Sequence, residues 1–285
     1  MGFISKQTLI IGVGLLGSSI GLALSKHKLA QRIVGIGRRV ESLEIAKKMG
    51  AIEEYSLNFQ DYARESDFIV ICAPVKTSIK ILQELYPLIS PGTTITDVCS
   101  TKISICSVAN SLWAQNCPFI GSHPIAGSEK FGPEYGRHDF YENSICFIEK
   151  KSNANKESQQ KVFDFWSSLG AKVIEIYPDI HDLFLCYSSH LPHVLASTLA
   201  TIVRRKGVSR EFIGKGFIDT TRIAESRPEL WTDISLTNKN NLIKSISEVI
   251  EQLEEFKKAL ENEDENIIYD FFRKGSDSRK QLLEK

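Results

Sequence analysis

The sequence predicts an α/β fold with a doubly wound parallel sheet in residues 1–177, followed by an all-helical dimerisation domain in residues 178–285. Three observations support this prediction. Short apolar runs alternate with helical patterns as far as residue 176, which is the order expected of parallel strands joined by crossover helices. The first run passes directly into a glycine-rich turn. After Tyr177-Pro178 the strand signal fades, and only helical periodicity remains.

The glycine-rich turn predicts a dinucleotide site at the start of the chain. An apolar strand at residues 8–11 leads into Gly12-Val13-Gly14-Leu15-Leu16-Gly17 and then into an amphipathic helix. In this setting the first glycine permits a tight turn, the second lets a pyrophosphate approach the backbone, and the third lets the helix pack on the strand. The helix N-terminus favours the anion. We therefore predict a Rossmann-type domain with cofactor contacts at Gly12, Gly14, Leu15, Leu16 and Gly17.

The end of the second strand favours NADP over NAD. The strand at residues 32–36 is followed by Gly37-Arg38-Arg39, where an NAD-binding domain usually carries an acid for the ribose hydroxyls. Without that acid nothing repels a 2′-phosphate, and a guanidinium binds such a phosphate through two hydrogen bonds. We predict NADP contacts at Gly37, Arg38 and Arg39, with NAD as the alternative cofactor. The other interpretation is that the two arginines only begin a solvated helix.

Three further strands end in residues suited to a ligand site. Ala73-Pro74 follows one apolar strand, Ser100 follows the next, and His123 lies just after the pair Phe119-Ile120. Ligands of open α/β sheets bind outside the carboxyl ends of the strands, so these residues should line one crevice. Pro124 and its flanking glycines predict that His123 is held on a turn. An isolated His-Pro also fits a polar loop whose imidazole bonds only the backbone.

The second domain carries two polar motifs and a long apolar stripe. Ser189-His190-Leu191-Pro192-His193 places two histidines on one helical face, beside a proline that bends or interrupts the helix. The histidines lack the acidic or cysteine partners that zinc requires, so we predict no metal. Arg222 suits a carboxylate ligand, although an ion pair with Asp219 or Glu225 is an equal interpretation. The apolar stripe over residues 242–260 has no sheet to cover it and predicts a homodimer.

Composition excludes several classes of partner. The 35 basic residues balance the 35 acidic residues, which argues against binding to nucleic acid or to a membrane surface. No apolar run approaches the roughly 18 residues that a membrane span needs. The six cysteines contain no Cys-x-x-Cys pair and are typical of reduced thiols. We expect a cytoplasmic protein that acts on a small molecule.

Taken together, the motifs resemble those of the prephenate/arogenate dehydrogenase family of tyrosine biosynthesis. The resemblance runs from residue 9 to about residue 231, and the helical tail agrees in type. Its specific parts occur in one order along the chain: Gly12-Val13-Gly14-Leu15-Leu16-Gly17, Asp97-Val98-Cys99-Ser100-Thr101-Lys102, His123-Pro124-Ile125-Ala126-Gly127-Ser128-Glu129, Ser189-His190-Leu191-Pro192-His193 and Phe217-Ile218-Asp219-Thr220-Thr221-Arg222.

The resemblance implies roles for individual residues. His123 would hydrogen-bond the ring hydroxyl of the substrate, Ser100 would orient His123 and the nicotinamide, and Arg222 would bind a substrate carboxylate. The residues that would line or gate the pocket are Ser128, Glu129, Ser189, His190, His193 and Trp231. The implied reaction is the oxidative decarboxylation of prephenate to 4-hydroxyphenylpyruvate with hydride transfer to NADP, or of arogenate to tyrosine by the same chemistry. His193 favours prephenate, whereas the arginine-bearing turn favours arogenate.

Two other functions fit parts of the pattern. A β-hydroxyacid or imine reductase also joins a Rossmann domain to a helical dimerisation domain, but it would carry a lysine-bearing helix where this chain has Ser-His-Leu-Pro-His. A catalytically silent NADP-sensing regulator would bind cofactor without turning over either cyclohexadienyl substrate. Release of carbon dioxide distinguishes the predicted reaction from both alternatives.

Overall fold

The structure is a computed structural model that describes residues 4–127 and 130–284, and it confirms the predicted fold class. Six parallel strands form the main sheet in the order β3-β2-β1-β4-β5-β6. The elements that build it are β1 (Ser5–Ile11), α1 (Leu15–Lys26), β2 (Ala30–Ile36), α2 (Val40–Lys48), β3 (Glu54–Ser56), α3 (Gln60–Ala63), β4 (Phe68–Ile71), α4 (Val75–Leu85), β5 (Thr94–Asp97), α5 (Ile103–Leu112) and β6 (Phe119–Ile120).

The central strands are apolar because both faces of the sheet are covered. On one face Ile10 and Val70 pack with Ile20 of α1. On the other face Leu9 and Ile69 pack in a second cluster that includes residues of α4 and α5. This arrangement explains why β4 appears in the sequence as a continuous apolar run rather than an alternating one.

A second, three-stranded sheet follows the first and changes the prediction for His123. It contains β7 (Ser122–Ile125), β8 (Ile145–Glu149) and β9 (Lys172–Ile176), with α6 (Lys156–Ser168) between the last two strands. β7 pairs with β8 in antiparallel register, so that His123 lies opposite Phe147. The predicted turn at His123 is therefore wrong. Pro124 is tolerated because β7 is an edge strand, which pairs on one side only, so its missing N–H costs little.

The remainder of the described chain is helical. It comprises α7 (Pro178–Leu185), a π turn (Cys186–His190), α8 (Leu191–Arg205), α9 (Lys215–Thr221), a 3-10 turn (Arg222–Glu225), α10 (Pro228–Thr237), α11 (Lys239–Glu261) and α12 (Glu265–Leu283). Pro192 lies in the first turn of α8, where no intrahelical partner for its nitrogen is needed. The irregularity expected near this proline is the π turn that precedes it. Within the described residues, no helix is both long and apolar enough to cross a membrane.

The helical part contacts the edge of the main sheet at which its strands end. The backbone N–H of Lys76, at the start of α4, donates to Asp233 Oδ2 of α10 over 3.3 Å. The hydroxyl of Thr101, after β5, lies 2.9 Å from the hydroxyl of Thr237. The carboxyl ends of β4 and β5 therefore lie at the boundary between the sheet and the helices, and we refer to this boundary as the cleft.

Candidate active site

The glycine-rich turn has the geometry of a pyrophosphate cradle. Gly12 adopts a φ of +107°, and a Cβ built there would lie 2.2 Å from the carbonyl oxygen of Cys72. A Cβ on Gly17 would lie 2.2 Å from the carbonyl oxygen of Gly12. Gly14 differs, because a Cβ there would meet no atom within 4 Å. Packing thus requires the first and third glycines, whereas the second keeps open the space beside the N-terminus of α1.

Among the described residues no side chain caps the N-terminus of α1, which begins at the half-buried Leu15 and Leu16. Uncapped N–H groups at a helix start, beside a glycine that leaves the space open, form an anion site. The residues present therefore fit the pyrophosphate of a dinucleotide.

Arg38 and Arg39 are exposed at the carboxyl end of β2, directly after the half-buried Gly37. Among residues 4–127 and 130–284, neither guanidinium takes part in an ion pair. Both are therefore available to an anionic ligand at this end of the sheet.

Ala73 and Ser100 lie on the same edge of the sheet, as predicted from the strand order. Strands β4 and β5 are neighbours, and the thiol of Cys99 lies 3.6 Å from the carbonyl oxygen of Ala73. Pro74 is exposed and caps the start of α4, and Ser100 is half-buried. No hydrogen bond joins Ser100 to His123 in the described structure; the His123 ring bonds a different residue.

That residue is His181, which was not identified from the sequence. His123 Nδ1 lies 3.0 Å from His181 Nε2, and the two rings meet edge to face. His181 Nδ1 lies 2.8 Å from Asp182 Oδ1, and both of these side chains are fully buried. The only signal in the sequence is a His-Asp pair at the start of the helical domain. Among the described residues, no group of three or more histidines, cysteines and acids is arranged to hold a metal ion.

The environment of His123 favours the neutral imidazole. Burial lowers the pKa of His123 well below its ordinary value of 6.5, and the nearby His181, Lys102 and His190 lower it further. At neutral pH the ring therefore has a lone pair with which to accept a proton.

A buried ion pair fixes the strand that carries His123. Lys102 pairs with Asp97, and Lys102 Nζ also donates to the carbonyl oxygen of Ser122 over 2.8 Å. The backbone N–H of Ser122 donates to Asp97 Oδ1 over 2.8 Å, and Trp166 Nε1 donates to the Ser122 hydroxyl over 2.9 Å. Burial lowers the pKa of Lys102, but the charge and hydrogen bond of Asp97, together with the nearby Cys99 and Cys106, raise it overall. Hydrogen bonds to both its backbone and its side chain therefore fix Ser122, the residue before His123.

The two histidines of the second domain both contact Trp231. The His193 ring stacks on the indole with centroids 3.4 Å apart, and the His190 ring meets it edge to face at 6.0 Å. His193 Nδ1 donates to the carbonyl oxygen of Ser189 over 2.9 Å, while His190 Nδ1 lies 3.1 Å from Asn238 Nδ2. Burial lowers the pKa of His190 to about 4. The structure thus brings Ser189, His190, His193 and Trp231 into one cluster.

Arg222 lies exposed beside this cluster. Its positive charge contributes to the lowered pKa of His193, although burial of that ring is the larger cause. Within the described residues Arg222 forms no ion pair with Asp219 or Glu225, so the purely structural interpretation of this arginine is not realised. Ser128 and Glu129 lie outside the described residues.

A dinucleotide cradle after β1 and a half-buried imidazole with a lowered pKa just after β6 define a two-domain, dinucleotide-dependent oxidoreductase. The chain belongs to the prephenate dehydrogenase family. The family model of the nucleotide-binding domain of prephenate dehydrogenase matches residues 20–175, and that of the dimerization domain matches residues 177–274.

Individual relatives agree with this assignment. The chain is 30% identical over 283 residues to a prephenate dehydrogenase of Bacillus subtilis, covering 97% of this chain and 76% of the relative. It is 27% identical to a cyclohexadienyl dehydrogenase of Zymomonas mobilis, covering 97% and 96% of the two chains. The crystal structure of prephenate dehydrogenase from A. aeolicus, in complex with hydroxyphenyl propionate and NAD+, superposes with a TM-score of 0.88 at 29% identity, covering 97% and 98%.

Proposed function

We propose that this protein catalyses the oxidative decarboxylation of prephenate to 4-hydroxyphenylpyruvate, with hydride transfer to NADP. The observation that carries the proposal is the imidazole of His123, whose lowered pKa favours the neutral form and which follows β6 of the sheet whose strand β1 leads into the glycine cradle. Relatives that match the chain over almost its whole length are named prephenate dehydrogenase, in keeping with this chemistry.

The reaction requires alignment and the removal of one proton. When bound, the nicotinamide of the cofactor accepts the hydride that leaves C4 of the cyclohexadienol. His123 accepts the proton of the ring hydroxyl through Nε2, the nitrogen that does not face His181. Ser100, at the end of β5, orients the nicotinamide, and Arg222 holds a substrate carboxylate on the helical side of the cleft. Loss of the ring carboxylate as carbon dioxide makes the ring aromatic, so the protein mainly supplies orientation and a base.

Arogenate is the second candidate substrate. His193, which in the sequence favoured prephenate, has a hydrogen-bonding arrangement in the structure that favours arogenate. Because His193 Nδ1 donates to a carbonyl oxygen, the neutral ring keeps its lone pair on Nε2, which the Ser226 hydroxyl approaches only at 3.5 Å. A lone pair suits an ammonium donor such as the amino group of arogenate better than it suits a keto oxygen.

Steady-state kinetics with both substrates and both cofactors tests the proposal. We expect the highest kcat/KM for prephenate with NADP. A higher kcat/KM for arogenate would move the assignment to the second candidate. Turnover of neither substrate, with cofactor still bound, would instead support an NADP-sensing regulator, and cofactor oxidation or reduction without carbon dioxide release would support a β-hydroxyacid or imine reductase.

Replacing Arg222 by alanine is expected to raise KM for the substrate by at least about tenfold, because a charge-assisted bond to a carboxylate contributes roughly 1.5–3 kcal/mol. The kcat should change much less, since the guanidinium is not placed to move a proton. The nearby Arg227, which already pairs with Glu229, provides the matched control as Arg227→Ala. An unchanged KM in Arg222→Ala would contradict the clamp role.

Replacing Arg38 and Arg39 together by alanine is expected to weaken NADP binding by at least about tenfold while leaving NAD binding nearly unchanged, because only NADP carries the 2′-phosphate. Binding of each cofactor is measured by isothermal titration calorimetry. Equal losses for the two cofactors would refute recognition of the 2′-phosphate at this turn.

We further propose that the helical part, divided from the first domain at residues 177/178, forms a homodimer. The apolar stripe of α11 separates into two faces. Leu242, Ile246 and Val249 pack on Cys186 and Leu191 within the chain. The outer face remains more than half exposed at Ile243, Ile250, Leu253 and Leu260. Several exposed apolar residues on one helix face are typical of an association surface, and the matched family model is that of a dimerization domain.

A further inference from the structure

The hydrogen-bonded chain behind His123 crosses between the two parts of the molecule. His123 lies on β7 of the first part, whereas His181 and Asp182 lie on α7 of the second. The links are 3.0 Å from His123 Nδ1 to His181 Nε2 and 2.8 Å from His181 Nδ1 to Asp182 Oδ1. His181 and Asp182 are fully buried, and the Phe147 ring meets His181 edge to face. Since neither His181 nor Asp182 reaches solvent, their hydrogen bonds have to be satisfied within the protein.

Asp182 is anchored by the start of α5. The backbone N–H of Lys102 donates to Asp182 Oδ1 over 2.7 Å, and that of Ile103 donates to Oδ2 over 2.9 Å. The carboxylate therefore lies at the N-terminus of a ten-residue helix, where a negative charge is favoured. Asn238 Nδ2 donates to the carbonyl oxygen of the same residue over 2.7 Å. The carboxylate has a fixed orientation and only accepts hydrogen bonds.

A fixed acceptor determines where the protons of both imidazoles lie. Because Asp182 Oδ1 accepts, His181 Nδ1 must carry a hydrogen, and a neutral His181 then has its lone pair on Nε2. That lone pair faces His123 Nδ1, which must therefore be the donor. His123 consequently carries its hydrogen on Nδ1 and its lone pair on Nε2, and Nε2 has no partner among the described residues.

We propose that His181, set by Asp182, is a positioning residue that holds His123 in the Nδ1–H tautomer required of a general base. The inference rests on the proposed function. During the reaction the hydroxyl O–H bond of the substrate breaks and an Nε2–H bond forms on His123. The resulting imidazolium still donates Nδ1–H to His181, which stabilises the charge. The proton later leaves Nε2 to solvent, so His181 and Asp182 end each cycle unchanged.

Nitrogen-15 NMR of the histidine side chains tests the tautomers without any substrate. The chain contains only six histidines, so selective labelling gives a readable spectrum, and single variants assign the signals. We expect His123 of the wild-type protein to be neutral at pH 7, and both His123 and His181 to carry hydrogen on Nδ1. A His123 ring protonated on Nε2 would overturn the proposal.

Two variants of His181 separate the tautomer from simple packing. In His181→Gln the amide oxygen can still accept from His123 Nδ1, whereas in His181→Leu nothing accepts. We expect His181→Leu to lower kcat by about 100-fold with little change in KM, and to shift the His123 hydrogen to Nε2. His181→Gln should keep the Nδ1 hydrogen and lose at most about tenfold in kcat. His138→Leu, at an exposed histidine, is the control and should leave kcat and the His123 signals unchanged.

These experiments test the positioning role of His181 separately from the proposed dehydrogenase activity. Equal kcat losses in His181→Gln and His181→Leu, with the His123 tautomer unchanged in both, would overturn the positioning role. Should His181→Leu fail to fold, the wild-type spectrum and His181→Gln still decide the question. The predicted tautomers together with no turnover of prephenate or arogenate would support the positioning role and contradict the proposed function.

Discussion

Replacing His123 by asparagine is expected to reduce kcat by at least about 100-fold, because general-base catalysis contributes roughly 10²- to 10⁴-fold. KM for the substrate should stay nearly unchanged, since the proposed carboxylate clamp is Arg222 of the helical part and not His123. Asparagine can still occupy the position opposite Phe147 in β7, but it cannot accept a proton from the hydroxyl. Initial rates over a range of substrate concentrations measure both quantities.

The exposed His138 provides the matched control, as His138→Asn, and its kcat should equal that of the wild type. The melting temperature of each variant shows whether a loss of rate reflects a loss of fold. A correctly folded His123→Asn variant that turns over within about threefold of the wild type would remove His123 from the mechanism.

Replacing Lys102 by methionine is expected to lower the free energy of unfolding by about 3–5 kcal/mol, because it leaves the buried carboxylate of Asp97 without its counter-charge. Lys102 and Asp97 are 2% and 0% exposed, so water cannot take the place of the lost ammonium group. The loss should extend to activity, because Lys102 also holds the carbonyl oxygen of Ser122, the residue before His123.

Denaturant unfolding followed by circular dichroism measures this change. The exposed pair of Lys257 and Glu261, which are 75% and 59% exposed, supplies the control. Lys257→Met should change the free energy of unfolding by less than about 0.5 kcal/mol, because water and salt screen such pairs. A loss below about 1 kcal/mol in Lys102→Met would show that the buried pair does not hold this region together.

The first domain was predictable because its signals are local. Gly12, Gly14 and Gly17 follow a strand within six residues. A side chain at Gly12 or Gly17 would clash with a backbone oxygen, whereas Gly14 borders open space for a ligand. The continuous apolar run of β4 is similarly explained by burial on two faces.

The surroundings of His123 could not be read from the sequence because they depend on distant pairings. β7 becomes a strand only by pairing with β8, in which His123 lies opposite Phe147, and the presence of Pro124 made a turn the natural prediction. His181 reaches His123 across 58 positions of the chain, and its neighbour Asp182 is fixed by backbone groups of another helix. Such contacts leave no periodic pattern.

Two contacts in the helical part were likewise not predictable from the sequence. The sequence places His190 and His193 on one face, but not the stacking of His193 on Trp231. The sequence also identifies the apolar stripe of α11, but it does not show which residues of the stripe pack within the chain and which are exposed.

The stoichiometry of carbon dioxide release tests the central claim most directly. Purified wild-type protein is given prephenate labelled with carbon-13 in the ring carboxylate, together with NADP, and labelled carbon dioxide and NADPH are measured in the same sample. We expect one carbon dioxide for each NADPH, with both products lost together in His123→Asn. Absence of labelled carbon dioxide with prephenate and with correspondingly labelled arogenate, in protein that binds NADP, would contradict the account.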